Sequence, residues 1–192
     1  MTTTVTHLFD DYTKAQEAVR ALESSGFTSN EVSIASRFRD NGELADEATG
    51  AATGASVGAV AGAGTGLLTA LGVLAIPGLG PLVAAGVLAT TLAGAATGAA
   101  AGGIIGALTD YGVSEDDAHV YSEGVRRGST LVSVRAPDDR AQVARDILNR
   151  HKPVDIAARR KAYSDQGWSK YDPKAPGYTR EEIRAERDRY MR

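Results

Sequence analysis

The chain has 192 residues, a formal charge of −3 and no cysteine, enough for one domain or two small ones. Without cysteine there is no disulfide framework, thiolate metal site or thiol nucleophile. The charge is uneven: residues 1–47 carry four basic and nine acidic groups, residues 48–109 none, and residues 110–192 seventeen and fifteen, so neither end has the basic excess of a nucleic-acid binder.

Val5-Thr6-His7-Leu8-Phe9 alternates in character and predicts a short strand. Its flank lacks an apolar run and carries Asp10, Asp11 and Glu17, which argues against a secretory signal and for folding in the cytoplasm. Thr13 is the expected N-cap of a helix to Ser25, with Ala15, Ala18, Val19 and Leu22 on one face and Gly26 as its stop. Val32–Ser36 reads as a second strand, completing a βαβ unit.

Ala48 to Thr109 follows, a run of 62 residues with no Asp, Glu, Lys, Arg or His. Gly50, Gly54, Gly58, Gly62 and Gly66 recur at a spacing of four, as do Gly94, Gly98, Gly102 and Gly106, with Gly86 in step and Thr90 at the missing position. Between the rows lies Ile76-Pro77-Gly78-Leu79-Gly80-Pro81, a turn by composition. The pattern predicts two helices folded back on each other. Each glycine costs a helix roughly 1 kcal/mol against alanine. Close helix packing, against the other arm or another subunit, offsets that cost. Each arm, about 29 residues, would be roughly 43 Å long, more than a bilayer core requires. The acidic flanks Asp46, Glu47 and Asp110 and the absence of aromatics depart from the usual membrane-span signature. A membrane hairpin is the default reading, and a hairpin buried in a protein oligomer its competitor.

Ser114 is the expected cap of a helix with Glu115, Asp116 and Asp117 in its first turn, Ala118, Tyr121 and Val125 on its apolar face, and Gly128 at its end. Thr130–Arg135 predicts a strand, and Pro137 opens a helix with Ala141, Ala144, Ile147 and Leu148 inward. Val154–Ala158 predicts the last strand. The flanks look like copies: Ala15-Gln16 matches Ala141-Gln142, and Val32, Ile34, Ala35 and Arg37 match Val154, Ile156, Ala157 and Arg159. A duplicated βαβ implies an α+β, ferredoxin-like head. Its first half would span 1–40, the glycine-zipper hairpin 41–110 with its turn at 76–81, and the short helix with the second half 111–160. A tail, 161–192, carries Tyr163, Trp168, Tyr171 and Tyr178 among prolines and glycines, the composition of a strap across a neighbouring subunit. Thr179 to Glu182 is a capping box opening a charged helix.

No residue set suggests catalysis, a cofactor or a metal. Gly62-Ala-Gly64-Thr-Gly66 has no lysine after it and keeps the four-residue period, so a phosphate loop is disfavoured. His7, His119 and His151 fall on separate elements. The strands offer too few aromatics for RNA stacking. Arg126-Arg127 and Arg159-Arg160-Lys161 suit a solvated face or contact with anionic headgroups.

The Val5–Phe9 strand, the Ala15–Gly26 helix ending in Gly26-Phe27, the Val32–Ser36 strand and the glycine-zipper insert resemble bacterial general stress proteins of the 17M-like group, related to the heat-induced stress proteins of the YflT type. The Trp168–Tyr190 tail looks like an extension on some bacterial stress-associated proteins. The resemblance implies a stress-tolerance or envelope role and supplies no active-site residues. The expectation is a non-enzymatic stress protein that forms homo-oligomers through its glycine rows, with membrane lipid as a further partner and no nucleic acid or small-molecule substrate. The inner membrane with a cytoplasmic head is its expected place. The alternative is a cytoplasmic, self-assembling particle or filament cored by the hairpins.

Overall fold

A computed structural model describes residues 1–38, 67, 72–76, 79–96 and 103–190. In chain order these form β1 (Thr2–Phe9), α1 (Tyr12–Ser24), β2 (Val32–Ser36), β3 (Gly72–Ile76), β4 (Gly80–Ala85), α2 (Val87–Ala96), α3 (Gly103–Asp110), α4 (Glu115–Arg126), β5 (Thr130–Pro137), α5 (Ala141–Arg150), α6 (Ile156–Asp165) and α7 (Arg180–Tyr190). The fold is α+β, with an antiparallel sheet in the order β1-β5-β2-β4-β3.

The first flank folds largely as its pattern dictates. Asp11, not Thr13, caps α1: its carboxylate accepts the Thr13 N–H at 2.8 Å. A short side chain two residues upstream suits that bond. Gly26 takes φ +84°. There Gly26 N–H meets Glu23 O and Phe27 N–H meets Leu22 O, closing the helix with paired carbonyls.

The insert differs from its expected form. The turn near 76–81 joins two strands rather than two helices. Gly72-Val-Leu-Ala-Ile76 is a short apolar run whose period does not separate helix from strand. The open edge of β2 decides: Ile34, Ala35 and Ser36 pair with Ala85, Ala84 and Val83. The described residues of the second arm are helical, in α2 and α3. Gly94 lies in α2 and Gly106 in α3. Gly86 lies in neither, but at the corner between β4 and α2 with φ +81°. Gly50, Gly54, Gly58, Gly62, Gly66, Gly98 and Gly102 lie outside the described residues.

The second flank departs at two points. Pro137 ends β5, and α5 starts at Ala141. The strand expected at 154–158 is helix α6. Val154 N–H does reach Leu8 O at 2.7 Å, a single bond on the β1 edge. Asp155 then takes the Ala158 N–H at 3.0 Å and starts the helix. The ferredoxin-like duplication is therefore incomplete: β1, β5 and β2 come from the flanks, and the insert supplies β4 and β3.

Both faces of the sheet are covered. Val5, Phe9, Val32, Ile34, Val132 and Val134 meet Ala15, Leu22, Ala144 and Leu148 of α1 and α5. Leu8, Ala35 and Leu131 meet Leu88, Leu108, Tyr121 and Val125 of α2, α3 and α4. Gly124 allows α4 to lie close to β1, since a Cβ there would stand 2.4 Å from Leu8 Cδ2.

Candidate functional site: an arginine cluster beneath the C-terminal segment

At one end of the sheet β1 and β2 run out, β5 begins and α4 stops. Arg37, Arg126 and Arg127 meet there, each less than a tenth exposed, and Arg159 joins them from α6. Such burial demands partners, and the helix supplies the first. Glu123 is fully buried, and its Oε1 accepts Arg126 Nη2 and Arg127 Nε, both at 2.7 Å, from three and four residues on. The C-terminal segment and Asp10 supply others. Arg127 Nη1 donates to Glu186 Oε1 at 2.9 Å and to Gln166 Oε1 at 2.6 Å. Arg37 Nη1 donates to the Tyr178 carbonyl at 2.8 Å. Arg159 forks onto both Asp10 oxygens, and Ser129 Oγ donates to Asp10 Oδ1 at 2.8 Å.

Aromatic rings complete the cluster. The Arg127 guanidinium lies 4.1 Å from the Tyr163 ring centroid, Arg126 lies 5.2 Å from Tyr178, and Arg159 lies 3.7 Å from Tyr190. Trp168 stands edge-on to Tyr163 at 5.6 Å. Burial opposes the Arg127 charge, but the Glu123 and Glu186 carboxylates outweigh it and hold its pKa above the usual guanidinium value. At Arg159 burial is likewise outweighed, chiefly by Asp10. Burial pushes the Tyr163 phenol up, with Arg159 opposing, and pushes Tyr171 up to about 12.

The four tail residues singled out in the sequence thus come together on their own chain. Tyr163, at the end of α6, is fully buried, Tyr171 is 5% exposed, and Tyr178 and Trp168 are half-buried. Within the one chain described, the segment that carries them lies across its own head. The basic pairs are corrected too: Arg126, Arg127 and Arg159 are buried, neither a solvated face nor a headgroup contact. Arg160, bonding Asp117 at 2.6 Å, and the exposed Lys161, paired with Asp165 at 2.8 Å, follow the surface reading. The sequence carried a usable signal for the buried pairs in Glu123, spaced to meet both Arg126 and Arg127 on one helix. Arg37, Asp10 and Glu186 gave none, because their partners are distant in the chain.

A second feature is a groove of about 290 Å³ along the outer edge of β1, lined by Thr4, Thr6, His7, Ser114, Asp117 and Arg145 among others. The Tyr121 hydroxyl donates to Thr6 O at 2.9 Å within it. Burial lowers the His7 pKa, favouring the neutral ring. Among the described residues no three acidic or histidine side chains are placed to hold a metal ion.

No family model, curated protein or solved structure matches the chain.

Proposed function

We propose that the chain is a non-enzymatic protein of the bacterial stress response that assembles with copies of itself, its uncharged insert held in protein rather than in lipid. The observation that carries this reading is the fate of the insert's apolar centre. Leu79, Leu82 and Leu88, in the stretch a membrane hairpin would give to lipid, are at most 1% exposed and form part of the core on one face of the sheet. Burying each contributes about 1.5–3 kcal/mol at most. No helix among the described residues is long and apolar enough to cross a membrane. Inner-membrane association keeps behind it the uncharged composition of 48–66, which is mostly Gly, Ala and Thr. That glycine row remains the feature best suited to helix packing between copies.

The non-enzymatic reading rests on the resemblance, which supplies no active-site residues to carry over. The stress role rests on the family resemblance. Purification without detergent tests the reading, with light scattering for mass and a carbonate wash of the membranes. A lipid-free particle of more than one chain, recovered wholly from the aqueous fraction, is expected. Recovery that needs detergent, or a monomer at every concentration, would overturn it.

A further inference from the structure

We propose that the outer edge of β1 docks an extended peptide of a partner protein, which adds to the sheet as a strand and carries a carboxylate. This goes beyond the self-assembly reading and does not depend on it. Backbone groups along an antiparallel strand alternate between its two neighbours, so the register fixes which of them face outward. Arg135 N–H donates to Glu31 O at 2.8 Å, which continues the pairing of β5 with β2. Arg135, Ser133 and Leu131 therefore turn their backbone groups to β2. Val132, Val134 and Ala136 between and beyond them turn to His7, Val5 and Thr3 of β1. Thr2, Thr4, Thr6 and Leu8 are left with N–H and C=O directed away from the sheet.

Two contacts agree with that direction. Val154 N–H donates to Leu8 O at 2.7 Å, and the Tyr121 hydroxyl donates to Thr6 O at 2.9 Å. The first is a single rung on this edge, made by a segment that then turns away into α6. Beside it the groove of about 290 Å³ runs past Thr4, Thr6 and His7. Among the described residues no group meets the Thr4 N–H or C=O. A strand laid in the groove would exchange both bonds with Thr4.

The groove's walls choose the occupant. Val5 and Phe9 belong to the core beneath α1 and α5, and Leu8 to the core beneath α2, α3 and α4. By alternation His7 lies on the α5 side and Thr4 and Thr6 on the α4 side. Asp117 in the lining is taken by Arg160 at 2.6 Å, and burial favours the neutral His7 ring. Arg145 of α5 is exposed, and its described partner is the neutral Gln142 amide at 3.2 Å. The groove therefore presents a cation on its α5 side. An added strand offers every second side chain to that side, where a carboxylate meets Arg145. The β1 strand of a second copy has no carboxylate and does not fit this requirement.

The test uses the full chain and fluorescent peptides of about seven residues, alternating threonine and valine, with a central glutamate or a central lysine. Fluorescence anisotropy reads binding. Saturable binding of the glutamate peptide is expected, with Kd below about 1 mM, and binding of the lysine peptide about threefold or more weaker. N-methylation of every amide of the glutamate peptide removes its ladder donors and is expected to weaken binding about tenfold or more. Thr4→Pro removes an outward N–H and no bond to β5, and a similar fall is expected. Should that variant not fold, the methylated peptide tests the same bonds on the wild-type chain. Arg145→Glu, at an exposed position, is expected to invert the order of the two peptides. No saturation by about 1 mM, or binding indifferent to methylation, would overturn strand addition. Equal affinity for the two peptides would overturn the carboxylate. A folded Thr4→Pro chain that loses particle mass would give the edge to a second copy and overturn the partner peptide.

Discussion

At Gly86 the backbone has φ +81°, and a Cβ would stand 2.2 Å from Val32 O and 2.7 Å from Ser33 Oγ. Both the dihedral and the crowding by backbone exclude a side chain, so Gly86→Ala is expected to cost on the order of 3 kcal/mol in urea unfolding. Gly106 is the opposite case. It lies in α3, and a Cβ there would meet nothing within 4 Å among the described residues. Gly106→Ala is expected to stabilise by about 0.5–1 kcal/mol through helix propensity, with no change of particle mass. A loss of mass would mean that Gly106 packs against another helix. Two glycines of one apparent row therefore serve different ends. Asp10 is a third instructive residue, since it neutralises Arg159, which is 5% exposed. Asp10→Ala leaves that charge buried against Tyr163 and Tyr190, and a loss of about 2–4 kcal/mol is expected from the same unfolding measurement.

Elements were legible where local signals agreed with the tertiary setting. In β1, Val5 and Phe9 fall on one face and Leu8 on the other, and α4 carries both its Ser114 cap and its acidic first turn. The capping box of α7 was equally plain: Glu182 accepts the Thr179 N–H at 2.8 Å, and its own N–H donates to Thr179 Oγ1 at 3.3 Å. The insert was not legible because nothing within Gly72–Ala85 says that β2 has an open edge. The apolar run there suggested the ends of two helices, and this pairing overrode it. The last strand of the second flank failed for a related reason. Val154–Ala158 copies the β2 pattern, yet Asp155 stands where β2 has Ser33 and caps a helix instead. The α7 capping box also carries a pH dependence. The Thr179 backbone and hydroxyl hydrogen bonds hold Glu182 below its usual pKa of 4.5. The unfolded chain thus binds the proton first, and the cap's contribution is present above pH 4.5 and lost as pH falls through the lowered value. Protection of the Ile183–Arg187 amides against exchange, relative to their intrinsic rates, is expected to fall over that acidic range. Glu182→Gln is expected to flatten the dependence; an unchanged profile would assign it to another carboxylate.

Across the whole molecule the C-terminal segment ties together parts that the sheet alone does not join. Tyr171 sits in the core on one face of the sheet, and Ile183 in the core on the other. A chain ending at Tyr171 would keep α6, the Arg159–Asp10 fork and the Tyr163–Trp168 contact, while losing Ile183 and Glu186. Ile183 Cγ2 lies 2.4 Å from where a Gly128 Cβ would stand, and vacating that space exposes the Phe38 ring and removes about 1.5–3 kcal/mol of apolar burial. Arg127 keeps Glu123 but loses its second carboxylate, a charge-assisted bond of about 1.5–3 kcal/mol. For a domain of this size those losses lower the melting temperature by roughly 5–25 °C. A free appendage would leave the melting temperature unchanged, and calorimetry separates the two. The same truncation bears on alkaline stability. Tyr121 and Tyr171 are held neutral by burial, their pKa values pushed up to about 12 from 10.0. Their contribution is intact below pH 10 and is lost as pH rises toward about 12, because the unfolded phenols ionise first. The full chain is therefore expected to show late phenolate absorbance that appears together with unfolding. In the chain ending at Tyr171, that residue loses the segment after it, and one phenol is expected to titrate nearer pH 10 before the fold is lost. Simultaneous ionisation and unfolding in both chains would place the tail's stabilising contacts upstream of Tyr171.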